Sequence, residues 1–348
     1  LTRILVRASV PLRGATGNGS FWLEGEGGEH MGLRSLPADE VCSGQKGMPR
    51  CLWLRLAGRL APLRVWRLRA TREVKSADGR TLFSDARLRF ASASGPDERA
   101  PTVFRWRLRV SDRCLLVDAQ GSERTDLRVR ISGGDDSHAG IAKVVHHLGV
   151  PISLPLVATV HLSLADLAGN VAPPVRKEVH GEVTPRVVIT EILANPRGPE
   201  PTQEWVEIQN LSESVVDIGG WTLDDNDDGV GRNVLPSALL GPGQRAVIVG
   251  TRFDSMAPGD PPIAEGAVLL RVDGTVGSLG LANGGESLAL RDASGRLVSS
   301  YGGFLSVGRK QDEGRSVVRG DPFACDLPEA WGFSLGDPTP GAPDKREK

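Results

Sequence analysis

The chain contains no apolar run near the roughly 20 residues that a membrane-crossing helix requires, so no transmembrane helix is expected. No window sustains apolar spacing at i, i+3 and i+4, which argues against long amphipathic helices. Cysteine is sparse: Cys42, Cys51, Cys114 and Cys325. None stands in a C-x-x-C pair, which argues against a zinc ribbon or a thioredoxin-type site. No G-x-S-x-G nucleophile elbow occurs. The glycine-rich pieces GVGR and GNGS lack the Lys-Ser/Thr of a phosphate loop. The six histidines are dispersed, and no His/Cys/carboxylate cluster has ligand spacing. The chain starts at Leu1 instead of Met, so an upstream segment, such as a signal peptide or lipid-anchor region, is expected.

What is present describes an ordinary globular composition, 39% apolar and 24% charged over 348 residues. That length predicts two or three domains, each with its own core. The net charge is −1 but unevenly spread. Residues 1–100 carry 17 basic against 10 acidic side chains, and residues 185–348 carry 15 against 24. A basic first part can meet an anionic partner, or the difference can be drift in surface composition.

Short alternating runs broken by Gly, Pro, Asp and Asn recur along the chain, the texture of an all-β protein built from sandwiches. FRWRLRV (104–110) is the clearest run. Phe104, Trp106, Leu108 and Val110 fall on one face, predicted to be core, and Arg105, Arg107 and Arg109 on the other. Further strands are expected at 52–56, 65–70, 127–131 and 157–164, and Asp78-Gly79 signals a turn. ASASGPDERAPT (91–102) and PPVRKEVHGEVTP (173–185) read as linkers. They divide the chain into domains at 1–95, 101–182 and 185–342.

The third part is the most sharply patterned. VVITEILANP is a strand running into a Pro-terminated turn. In EWVEIQN, Val206 and Ile208 share one face and Trp205 and Glu207 the other. Leu288 to Leu290 and Leu297-Val298, joined through DASGR, form a hairpin. Trp205 and Trp221 each offer a large apolar area whose burial contributes about 2–3 kcal/mol. Asn195 and Asn210 sit at strand ends, where their side chains can bond the turning backbone. Taken in order, Glu191-Ile192-Leu193-Ala194-Asn195-Pro196, Glu204 to Asn210, Gly220-Trp221-Thr222-Leu223-Asp224-Asp225, Pro242-Gly243 and Thr339-Pro340-Gly341 resemble a lamin tail domain of the bacterial type. The resemblance implies an immunoglobulin-like β-sandwich and does not imply an enzyme. The long stretch 251–281 and the segment around Cys325 and Trp331 exceed a minimal sandwich, and are places where a partner surface could sit. Upstream, LAPLRVWRLRATREVKSADGRTL with RLRFASASGPDERAP is similar to bacterial immunoglobulin-like domains of the surface-layer type, closing on Phe90. VHLSLADLAGNVAPP resembles the end of another, with a turn at Asp166 to Asn170.

Several residues invite a chemical reading. In LDDNDDG, the residues Asp224, Asn226 and Asp228 followed by Gly229 match the first half of a calcium loop. The twelfth position, Leu235, lacks the closing Glu, so the alternative is an exposed acidic turn whose side chains bond their own backbone. GDDSHAG (134–140) puts Asp136, Ser137 and His138 together, and adjacent side chains on one extended chain point apart; it reads as a loop. His146-His147 could supply a metal ligand. Cys42 and Cys51 could bridge one loop in an oxidising compartment. Cys114 reads as a buried small hydrophobe.

No catalytic or cofactor-binding constellation emerges, and calcium is the one cofactor considered. The expectation is a non-enzymatic, extracytoplasmic bacterial protein of tandem immunoglobulin-like sandwiches ending in a lamin tail unit. It would be surface-exposed, outer membrane-anchored or secreted, and would serve adhesion, scaffolding or display toward a cell-envelope protein or glycan. Two alternatives stand beside it: a nucleic-acid or anionic-glycan binder using the basic N-terminal part, and an accessory fragment of a larger secreted hydrolase.

Overall fold

The computed structural model describes residues 3–7, 12–13, 20–36, 51–58, 60, 64–71, 73–76, 78–80, 89–91, 97–133, 136–166, 168–225, 232–258 and 260–343. Among these residues the regular structure is strand, apart from two single 3-10 turns at Lys310–Asp312 and Pro328–Ala330. The chain forms two compact units. The first comprises Leu1–Trp106, Ala119–His146 and Thr159–Lys177; the second comprises Arg107–Asp118, His147–Ala158 and Glu178–Lys348.

The first 91 residues supply β1 (Arg3–Arg7), β2 (Leu12–Arg13), β3 (Phe21–Gly25), β4 (His30–Leu36), β5 (Cys51–Leu56), β6 (Val65–Ala70), β7 (Lys75–Ser76) and β8 (Arg89–Ala91). Six of them form one sheet in the order β1-β5-β4-β3-β6-β8, and β2 pairs with β7. Phe21 and Leu23 are buried while Trp22 and Glu24 between them are not, the alternation expected of a strand with one covered face. Leu33, Leu54, Leu56, Trp66 and Leu68 complete the core on that side.

Next come β9 (Val103–Ser111), β10 (Cys114–Ile131), β11 (Asp136–Pro151), β12 (Leu156–Asp166) and β13 (Val175–Gly181). The order is β11-β10-β12-β13, with β9 attached to β10. Asp112 and Arg113 join β9 to β10 with φ of 53° and 58°. Two consecutive left-handed residues make the tight hairpin turn whose twist matches its strands. Three sequence expectations change here. Phe104 is 65% exposed, because β9 lies outside the main strand order and its alternation finds no second layer at that position. The charged stretch 173–185 contains β13, so its prolines bracket a strand instead of marking a linker throughout. Ser137 and His138 lie in β11 and not in a loop; Gly134 and Asp135 fall outside the described residues.

The remainder provides β14 (Val187–Leu193), β15 (Trp205–Asn210), β16 (Val216–Asp217), β17 (Thr222–Asp225), β18 (Asn233–Val234), β19 (Leu239–Leu240), β20 (Arg245–Val249), β21 (Val268–Arg271), β22 (Ser287–Arg291), β23 (Leu297–Gly302), β24 (Val317–Arg319) and β25 (Trp331–Phe333). A sheet of order β21-β20-β15-β14-β24-β25 faces a sheet of order β18-β17-β22-β23. Ile189, Ile192, Val206, Ile208 and Ile248 from the first meet Leu223, Leu288, Leu290 and Tyr301 from the second in one core, with Trp221 among them. This is a β-sandwich.

Every residue of β14 is buried, on both faces. Its register against β15 shifts between Ile189 and Glu191. That bulge absorbs one residue, so that Ile189 and Ile192, three apart, both reach the core. The outer face is covered as well: Leu193, Trp205, Val247, Val249 and Phe253 pack together, with Ile263 against them. The stretch 251–281, expected to offer a partner surface, therefore contributes Phe253 and Ile263 as a lid over Trp205. Arg271 Nη1 holds that lid by donating to Phe253 O at 2.8 Å.

Candidate functional site

Glu191 on β14 and Glu207 on β15 are direct cross-strand partners on the covered outer face. Both are buried, at 1% and 0% exposure. Burial raises the Glu207 carboxyl above the usual range, against the opposing charge of Arg245. Arg245 forms an ion pair with Glu207, and Thr190 Oγ1 donates to the same carboxylate. Ser316 Oγ donates to Glu191 Oε1. The backbone after β25 completes the arrangement: Gly341 N donates to Glu207 Oε2 at 2.7 Å and Thr339 N to Glu191 Oε1 at 3.4 Å. Gly341 sits at φ +88° with Ala267 Cβ pressed against where its own Cβ would be, so any side chain there would be strained. Thr339-Pro340-Gly341 is thus a latch onto the two central strands.

A cavity of about 220 Å³ lies beside this pair, lined by Thr190, Glu191, Glu207, Arg245 and Arg319 with Val318, Gly320, Pro322 and Pro343. The hydroxyl on its wall, Thr190 Oγ1, already donates to Glu207. The same carboxylate also takes Arg245 and Gly341 N, so Glu207 joins three separate segments at this wall. Arg319 is fully buried and pairs with Asp112 at 3.1 Å. Asp112 belongs to the left-handed hairpin turn, and burial raises its carboxyl despite that arginine. Cys114, the first residue of β10 after the turn, is bonded to Cys325, 211 residues later. Cys114 is buried as expected, but as half of a disulfide. Cys42 lies outside the described residues, and with it the bridge considered for Cys51. Next to Cys325, Asp326 accepts from Trp331 Nε1 at 2.9 Å and Ser300 Oγ at 2.8 Å. Burial, then the nearby Asp112 charge, push it up to about 6.

The residues singled out in the sequence occupy separate places. Trp205 lies under the outer lid and Trp221 in the core between sheets. Asn195 Nδ2 donates to Val307 O. Asn210 Nδ2 reaches Leu240 O at 2.8 Å and Ser214 O at 2.9 Å, while its Oδ1 accepts from Ser212 N at 2.8 Å. Both amides tie loops to strand ends. The acidic loop differs from its exposed-turn reading at its start: Asp224 and Asp225 belong to β17 and are buried. Asp225 Oδ2 accepts from Ser278 N and Oγ, each at 2.9 Å, and Asp224 stands 3.7 Å from Arg232. Asn226 and Asp228 lie outside the described residues. His146 Nε2 bonds Thr125 Oγ1 at 2.9 Å in one unit, and His147 Nδ1 bonds Asp118 at 2.7 Å in the other. The tandem histidines thus do not converge on one point.

Glu204 opens the Glu204 to Asn210 stretch, and nothing local in the sequence marks its role. Glu204 is buried and accepts from Leu281 N at 2.6 Å. Burial pushes its carboxyl up to about 7, with Glu200 and Glu286 adding repulsion. Nor does the sequence mark a trio in the first unit: Asp97, Glu123 and Asp166 bring carboxylate oxygens within 4.8 Å of one another. Oxygen donors so placed suit a hard divalent cation. Asp166, however, already serves its own turn, accepting from Gly169 N at 2.7 Å and Asn170 N at 2.8 Å. Asn170 Nδ2 then carries that turn onto Asp97 O and Arg99 O.

Comparison with known families and structures adds the following. Residues 181–303 match the family described as Lamin Tail Domain. No curated protein matches the chain. Among solved structures, a DUF4876 family protein from Bacteroides thetaiotaomicron is similar at 12% identity with a TM-score of 0.21, over 49% of this chain and 63% of that one. The match thus spans under two thirds of that protein's length.

Proposed function

We propose that this chain, which carries a lamin tail domain at residues 181–303, is a non-enzymatic extracytoplasmic scaffold and binding module. Its units would be read along the sequence as 1–95, 101–182 and 185–342. It would hold a partner-binding surface at a bacterial cell envelope or in a secreted assembly. The observation that carries this reading is the Cys114–Cys325 bond, since structural disulfides persist in oxidising compartments and are rare in the cytosol. The inventory of buried polar groups supports the non-catalytic part. Glu191, Glu204, Glu207 and Asp225 are each held by hydrogen bonds to loops or neighbouring strands, a structural use of carboxylates.

The test is the thiol state of Cys114 and Cys325 in the protein as its native cell makes it, read by maleimide mass-tagging before and after reduction. Blocked cysteines that become reactive only after reduction are expected, together with recovery from the envelope or culture medium. Freely reactive thiols in a cytosolic fraction would end the extracytoplasmic reading.

A further inference from the structure

We propose that the outward face of the β1-β5-β4-β3-β6-β8 sheet binds an anionic polysaccharide. The apolar side chains of this sheet, such as Phe21, Leu23, Leu54 and Trp66, are buried on one side. Residues paired across an antiparallel ladder project to the same side, so register determines what the other face carries. Arg34 is paired with Arg55, and Arg55 on its other flank with the Arg3 position. Arg67 is paired with Glu24, and Arg69 with Trp22. Arg34, Arg55 and Arg67 are exposed, and Arg69 is half-exposed.

One acidic residue, Glu24, stands among the strand positions of this face, and Arg69 engages it at 2.6 Å. Like charges set directly across a ladder destabilise it. Here Arg34 and Arg55, both exposed, stand directly opposite each other across β4 and β5. An anionic chain lying across the strands would relieve that repulsion. Strands about 4.8 Å apart, with same-face neighbours about 6.7 Å apart along each, present a grid of cations. Such a grid fits a polymer bearing charge on successive repeats better than a single small anion. The choice of polysaccharide over nucleic acid rests on the extracytoplasmic reading above; the charge argument does not.

The experiment uses the full chain, a fluorescent heparin oligosaccharide and a DNA duplex of similar length, titrated at about 50 and 200 mM salt. The triple variants Arg34→Gln/Arg55→Gln/Arg67→Gln and Arg34→Lys/Arg55→Lys/Arg67→Lys are compared with wild type. Heparin should bind more tightly than duplex and weaken with salt. The Gln variant should lose at least about tenfold, with the salt slope falling by about one per arginine removed, while the Lys variant keeps most of the affinity. An unchanged Tm in the Gln variant shows that the sheet is intact. No heparin binding at low salt, or equal binding by the Gln variant, overturns the proposal. Tighter binding of duplex overturns the polysaccharide assignment. Blocked cysteines without heparin binding would sink this face alone. Reduced cysteines with heparin binding would sink the compartment assignment and leave the basic face standing.

Discussion

Glu191 and Glu207 face each other directly across β14 and β15, both buried on the outer side of the sandwich. Two like charges in that position would pull the central strands apart if left bare. They are held by Arg245, by Thr190 on β14 itself, and by groups from more distant segments, Ser316, Thr339 and Gly341. Glu191 and Glu207 with these partners therefore form a clasp that closes the sheet. Substituting Arg245→Met removes the compensating charge and is expected to cost about 3–5 kcal/mol. Arg245→Met combined with Glu207→Gln should recover a large part of that loss. Urea denaturation of the two variants checks both values.

Gly341→Ala tests the latch separately. A methyl there meets Ala267 Cβ, and the backbone lies in the left-handed region. The expected loss is about 1–3 kcal/mol, because strain and a displaced hydrogen bond to Glu207 act together. Faster hydrogen exchange in β14 and β15, with the first unit unaffected, would distinguish loss of the clasp from global damage.

Glu204 makes stability pH-dependent. Its folded carboxyl is raised from 4.5 to about 7 by burial. A raised carboxyl contributes its full stability below the unfolded value, and loses it as pH climbs through the folded value. Wild type should accordingly weaken between about pH 5 and pH 8. Glu204→Gln keeps an acceptor for Leu281 N without the charge. It should match wild type at pH 5 and exceed it at pH 8 by on the order of 1–2 kcal/mol. Melting curves across that range read the effect, and parallel curves for both proteins would contradict it.

Removing the disulfide by Cys114→Ala/Cys325→Ala should lower stability by about 2–4 kcal/mol. The pair anchors the Asp112 hairpin near Arg319, so Arg319→Met in the disulfide-free background should cost more than in wild type. A double-mutant cycle in thermal melts measures the difference.

In the first unit, Glu123 is raised by burial and by the nearby charges of Asp166 and Asp97. Glu123→Gln should raise Tm in metal-free buffer by relieving that repulsion. If a divalent cation occupied the trio, millimolar Ca²⁺ would stabilise wild type and not Glu123→Gln. An equal response of both proteins would leave the trio a purely repulsive cluster.

Period-two patterning made much of the sandwich legible. The alternation of Val206 and Ile208 against Trp205 and Glu207 predicted which side chains reach the core, and the hairpin through DASGR forms between β22 and β23. Alternation cannot say whether a second face is also covered, since Trp205 reads the same under a lid as in solvent. Phe104 shows the reverse failure: it sits in a clean alternating run, yet it is exposed near the start of β9 while Trp106, Leu108 and Val110 are half-buried. Pairings over long separations left no local mark. Cys114 with Cys325, Asp112 with Arg319 and Glu191 with Ser316 join residues whose partners are chosen by topology. Glu204 and Gly341 were visible as motif members, but their duties depend on contacts with Leu281 and Glu207 that only the folded chain supplies.

The Cys114–Cys325 bond also bears on how the chain is made. Its two sulfurs are separated by 211 residues of synthesis, roughly ten to forty seconds at ordinary ribosomal speeds. During that delay Cys114 lacks its partner, while Cys42 and Cys51 have already been synthesised. In the oxidising compartment proposed above, oxidation running ahead of translation would trap mispaired chains, and correct maturation there would favour a reshuffling thiol catalyst over a fast oxidant acting alone.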